Sequence, residues 1–133
     1  MKGYNTNLAA EFYVLSALHR LGVEANLTLG NKKSVDIAVV RGAGDAVTVD
    51  VKGLAGKTNW PVDNFRQRKG HFVVLVCFLG KINDTRVLPE IYVVPSKHIP
   101  ALTYYAPGGR KVIRLSKMRK DGGRFADGWN QLL

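Results

Sequence analysis

The chain has 133 residues, the size of one ordinary domain and enough to bury a core. With 46% hydrophobic and 23% charged residues it is not a wholesale disordered chain. Twenty Lys and Arg against ten Asp and Glu leave a formal charge of +10. That surplus favours a polyanionic partner, because each neutralised phosphate releases a condensed counterion.

The first predicted element is a helix over residues 6–21. Asn5 or Thr6 caps its start, and Gly22 is placed to end it. Leu8, Phe12, Leu15 and Leu18 recur at helical spacing and form its expected buried stripe. Three stretches of strand character follow, at 25–29, 35–40 and 46–52. Arg41-Gly42-Ala43-Gly44-Asp45 suits a hairpin between the second and third. After a loop rich in Gly, Lys and Asn, residues 62–68 are expected to form a short helix. The run 71–79 is apolar on both faces, as in a central strand covered on two sides. Residues 91–94 and 111–115 read as further strands, and 125–132 as a short terminal helix with Trp129 and Leu132 turned inward. The order predicts a single α/β domain over 1–133, a central mixed sheet flanked by helices.

Cys77, the single cysteine, cannot form an internal disulfide, and its apolar neighbours predict a buried, inert thiol. No Cys/His spacing resembles a zinc site. His19, His71 and His98 are scattered along the chain and are expected to be structural. The polar N-terminus has no signal-like apolar stretch, and 72–79 is too short to span a bilayer. A cytoplasmic protein with no membrane partner is the expectation.

The chemistry concentrates in the predicted hairpin. Alternation puts Val35, Ile37 and Val39 on one face and Asp36 on the other. In the next strand Val47, Val49 and Val51 share a face, while Thr48, Asp50 and Lys52 share the opposite one. A turn centred on Ala43 makes Asp36 and Asp50 direct cross-strand neighbours. Two carboxylates about 4 Å apart repel by roughly 4 kcal/mol at an effective dielectric near 20. A divalent cation removes that cost, and hard oxygen ligands suit Mg²⁺, with Mn²⁺ as substitute. Lys52 points the same way, able to orient or deprotonate a water or to stabilise charge developing at phosphorus. Taken alone, Asp-x-Lys is more often an ion pair on a solvated strand. The helix adds weight, because Glu11 falls at an angle between Leu15 and Leu18, where a carboxylate needs a partner or a cation. A Glu at the stripe edge reaching solvent or an arginine is the bland alternative.

At Glu11, Asp36 and Asp50-Val51-Lys52 the sequence resembles the PD-(D/E)XK nuclease superfamily, whose fold is restriction-endonuclease-like. In size and layout it is similar to the small archaeal Holliday-junction resolvases, over roughly residues 6–95. The resemblance implies an αβββαβ core with a C-terminal β and helix. It implies that Asp36 and Asp50 hold a metal with the Val51 carbonyl, that Lys52 positions the water, and that Glu11 serves a second metal or a metal-bound water. It further implies a Mg²⁺-dependent endonuclease acting on DNA and a homodimer for two cuts. Val35 stands where the motif has Pro, and Gln67 is a residue that some subfamilies use near the site. The specificity lies in the ordered set on predicted elements, since Asp-x-Lys alone is common. A non-catalytic basic DNA-binding module on the same scaffold is the alternative.

Expected nucleic-acid contacts are Lys57, Trp60, Arg66, Arg68 and Lys69 near the catalytic strand, and Lys117, Arg119 and Lys120 in the basic tail. Trp60 either stacks on a base or packs on the edge of the core. Gly56-Lys57-Thr58 lacks the spacing of a phosphate-binding P-loop and is incidental.

Overall fold

The computed structural model describes residues 3–28 and 36–133, with side chains from Asn5 onward. Leu29 and Val35, the expected inner ends of two strands, lie outside the described residues. Helix α1 spans Gly3–Arg20. The strands are β1 (Glu24–Leu27), β2 (Ile37–Val40), β3 (Ala46–Leu54), β4 (Asn59–Pro61), β5 (His71–Cys77), β6 (Glu90–Pro95), β7 (Tyr104–Tyr105) and β8 (Lys111–Arg114). Two shorter helices, α2 (Ile99–Leu102) and α3 (Leu115–Asp121), flank the last two strands.

Strands β1-β2-β3-β5-β6 form a mixed sheet in that order, and β4-β8-β7 form a second, smaller one. Only the central pair β3 and β5 runs parallel in the larger sheet; its other pairs are antiparallel. Every residue of β5 is buried, as its unbroken apolar run predicts. One face of this sheet packs its odd-numbered β3 valines, with Ile37, Val39, Val74 and Val93, against α1. The other face presents Val73, Leu75 and Cys77 to Trp60, Ile113, Leu115 and Met118 of the second sheet and α3. The Cys77 thiol is buried and donates to the Gly56 carbonyl, 3.2 Å away. No helix among the described residues is long and apolar enough to cross a membrane.

Helix α1 buries a different stripe from the one its large apolar residues predict. Thr6, Ala10, Val14 and Leu18 face the sheet, whereas Leu8 and Phe12 are 49% and 56% exposed. Close approach explains the choice. A Cβ added at Gly53 on β3 would lie 2.9 Å from the Thr6 carbonyl oxygen and 3.1 Å from the Ala10 Cβ. A face led by Leu and Phe would hold the helix off; Thr and Ala let it touch the strand. Gly22, at a φ of +78°, ends the helix as expected.

The predicted helix over 62–68 does not form. The Val62 amide donates to the Lys111 carbonyl (2.8 Å), and the Asp63 carboxylate accepts from the Lys111 amide (2.8 Å) and from Arg110 Nε (3.0 Å). These bonds tie residues 62 and 63 to β8 as a continuation of the β4–β8 pairing, so the β3–β5 crossover carries a strand and turns. The terminal helix over 125–132 is likewise replaced by two 3-10 turns, Gly123–Phe125 and Trp129–Leu132. Leu132 is nonetheless buried, and Trp129 packs on the α1 core. Leu115 opens α3 instead of closing the preceding strand.

Candidate active site

The β2–β3 register ends on Ile37 with Val49, and the residues just beyond it, Asp36 and Asp50, meet through their side chains. Two backbone-anchored bonds hold Asp36 there: its amide donates to the Val49 carbonyl (2.8 Å), and its Oδ2 accepts from the Val51 amide (2.7 Å). Asp50 is only 4% exposed, and its Oδ2 has no hydrogen-bond partner among the described residues. Lys52 Nζ lies 3.2 Å from that oxygen. The two groups are an ion pair by distance, but their geometry does not make a hydrogen bond. Lys52 meets the charge of that oxygen without a hydrogen bond, so its lone pairs remain open to a further ligand.

Burial pushes Asp36 up to about 7, assisted by a side-chain hydrogen bond with Asp50, against the pull of the Val51 amide. Below about pH 7 Asp36 therefore keeps a proton. Burial and the charge of Asp50 also raise Glu11, which flanks the α1 stripe one turn beyond Asn7. Asn7 Oδ1 in turn accepts from the Gly53 amide at 3.4 Å. Glu11 thus feels the charge of Asp50 from the helix side. Among the described residues, no three His, Cys, Asp or Glu side chains gather at metal-holding separations.

Asp50 and Lys52 stand at the floor of a cleft of about 800 Å³, lined also by Asp63, Asn64, Phe65, Arg66, Arg68 and Lys111. The cations of its wall come from the β3–β5 crossover and from the first residue of β8, so both sheets build it.

This fold is shared with a known endonuclease. The structure of a bacterial homing endonuclease, I-Ssp6803I, matches over 100% of this chain and 94% of its own, with a TM-score of 0.64 and 19% sequence identity. The likeness is one of fold. No protein-family model matches the chain, and no curated protein sequence matches it.

The other expected contacts divide. Arg66 and Arg68 line the cleft, and Lys57 is exposed in the turn before β4. Gln67 and Lys69 line a neighbouring groove. Trp60 is fully buried, its indole N–H donating to the Val76 carbonyl at 3.1 Å and its ring edge-on to Tyr92. Base stacking by Trp60 is therefore ruled out, and the core reading replaces it. Lys117 pairs with Asp121 (2.6 Å) and Arg119 with Glu90 (2.8 Å), while Lys120 lines a separate pocket with Tyr104 and Arg114. Lys111 in the cleft wall was legible only as one charge in a basic tail. Strand alternation from the inward Ile113 puts it on the cleft side.

Proposed function

We propose that the chain is a metal-dependent endonuclease that hydrolyses DNA phosphodiester bonds at Asp36, Asp50 and Lys52. One observation carries the reading: a buried aspartate pair, with an Asp50 oxygen that is ion-paired to Lys52 at 3.2 Å but accepts no hydrogen bond among the described residues, at the floor of a basic cleft. The fold shared with a protein described as a homing endonuclease supports it. A restriction-endonuclease-like reading of the sheet also agrees with the order Glu11, Asp36, Asp50, Lys52 along the chain.

The donor set fits a hard divalent cation, Mg²⁺ or Mn²⁺, because it offers carboxylate oxygens and no soft ligand. Asp36 and Asp50 would hold it. In a strand the amide and carbonyl of one residue point to the same edge, so the Val51 carbonyl turns toward Asp36 as its amide does. Such a cation supplies Lewis acidity at the phosphate and lowers the pKa of water at the site. The chain's own residues do the rest. Asp36, fixed by the Val51 amide, keeps its carboxylate in place without reorganisation. Lys52 would hold a positive charge where negative charge grows on the phosphate and would orient the attacking water. Glu11 acts from the helix side as a further acid near the pair. Arg66, Arg68 and Lys111 hold the DNA backbone, and two copies of the chain make the two cuts of a double-strand break.

The test is cleavage of labelled linear duplex, single strand, flap and four-way junction with Mg²⁺ or Mn²⁺, comparing wild type with Asp50→Asn and Asp50→Ala. Metal-dependent cutting that falls roughly a hundredfold or more in both variants is expected. Equal binding without cutting on every substrate would leave a basic DNA-binding module instead, and preference for the junction would mark a resolvase-like role.

A further inference from the structure

Arg68 lines the cleft beside Asp50 and Lys52, and it is held from behind. Its Nη2 lies 3.3 Å from Nε2 of His71, a side chain only 3% exposed. The other ring nitrogen, Nδ1, lies 2.7 Å from Thr48 Oγ1. The parallel register pairs Thr48 directly with His71, on the same face as Asp50 and Lys52. The Arg68 amide donates to Oγ of buried Ser96 at 2.9 Å, which anchors the same residue through its backbone.

The partners decide the histidine's tautomer. A guanidinium only donates, so Nε2 must be the bare, accepting nitrogen. Nδ1 then carries the proton and donates it to Thr48 Oγ1. Burial first, then the nearby Arg68 and Lys52, hold the imidazole down to about 4 against the pull of Asp50 and Thr48, so it is neutral at ordinary pH. A neutral acceptor is what an arginine needs; a protonated ring would repel it.

We propose that Arg68 binds a DNA backbone phosphate in the cleft, and that His71, oriented by Thr48, is the positioning residue that aims it. Arginine offers five N–H donors on a long stem, and much of its ordering cost falls due when it grips a phosphate. A buried acceptor behind it meets part of that cost beforehand. The inference rests on the cleft being the DNA site of the proposed function, but not on the cut itself.

Binding without chemistry tests it. Fluorescence anisotropy of a labelled duplex in EDTA, over a range of KCl concentrations, compares wild type with Arg68→Ala, His71→Leu, His71→Gln, Thr48→Val and the double variant His71→Leu/Arg68→Ala. Arg68→Ala is expected to weaken binding roughly tenfold and to flatten the salt dependence by about one ion. His71→Leu should reproduce most of that loss, and His71→Gln, whose amide oxygen reaches toward the place of Nε2, should recover it. The double variant should bind no more weakly than Arg68→Ala alone, because His71 acts only through Arg68. Thr48→Val should show a partial loss that vanishes once Arg68 is gone. A folded His71→Leu that binds like wild type overturns the proposal, as do two losses that add in full. If His71→Leu fails to fold, undiminished binding by Thr48→Val overturns it instead. Wild type that binds no DNA overturns both this inference and the nuclease reading; wild type that binds without cutting overturns only the catalysis.

Discussion

Asp36 and Asp50 sit where two carboxylates repel and where burial penalises charge on either. Burial first, then the Asp50 hydrogen bond, lifts Asp36 from 3.8 to about 7. The folded chain therefore keeps a proton that the unfolded chain releases, throughout that window. A carboxyl raised in this way takes stability away as pH rises, because the native state binds more protons than the unfolded one. His71, held down to about 4 from 6.5, pulls the other way between those values, because there the unfolded chain binds the extra proton. With that opposing titration removed in His71→Gln, the metal-free protein is expected to lose thermal stability from pH 3.8 to about 7. Mg²⁺ should restore it at the upper end, since the ion binds only the folded, ionised pair. In Asp50→Asn the like-charge neighbour is gone, so both the fall with pH and the Mg²⁺ rescue should shrink. Melting curves of the His71→Gln protein in EDTA and in excess Mg²⁺ measure this, and a profile that is flat through the window without metal would refute it.

At the scale of elements, the contact of α1 with β3 fixes where the site can be. Gly53 lies three residues beyond Asp50, with the Thr6 carbonyl and Ala10 pressed on it. Gly53→Ala is expected to push the helix outward and to cost about 1–3 kcal/mol, since a backbone oxygen cannot swing aside as a side chain can. The displaced helix carries Glu11 and Asn7 with it, so cleavage should fall further than stability alone explains. Denaturant melts paired with cleavage assays read both, and an unchanged midpoint would mean that the approach is looser than the distances say. The same contact marks the limit of what sequence could reveal. The hairpin pair Asp36 and Asp50 was legible because it depends on a short turn and a period of two, and β5 was legible from its unbroken apolar run. The buried stripe of α1 was not, because ranking by apolar bulk chooses Leu8 and Phe12, whereas packing chose the small Ala10. Residues 62–68 were misread because the partner that pins Asp63 lies 48 positions downstream. For the same reason the link from Thr48 to His71, across 23 positions, required the parallel pairing of β3 and β5. The burial of Trp60 required the second sheet.

Over the whole molecule, the surplus of +10 is unevenly placed. Five acids are taken up by ion pairs: Asp45 with Arg41, Asp63 with Arg110, Asp84 with Arg86, Glu90 with Arg119 and Asp121 with Lys117. Such largely exposed pairs contribute about 0–1 kcal/mol each to stability, but they cancel charge locally. Arg119 is therefore a poor phosphate ligand, since leaving Glu90 forfeits what binding would gain. The cleft wall, with Arg66, Arg68 and Lys111, is where the field is concentrated and where DNA should lie. Arg66→Ala and Lys111→Ala are each expected to weaken binding across all sequences alike and to flatten the salt dependence by about one ion. Arg119→Ala should leave that slope unchanged and cost little stability. Anisotropy titrations against KCl separate the cases. A slope that falls for Arg119→Ala as steeply as for Arg66→Ala would move the DNA path from the cleft onto α3, with Lys117 and Lys120 beside it. The acidic pair would then need a second face of the duplex, or a second copy of the chain, to reach a phosphate.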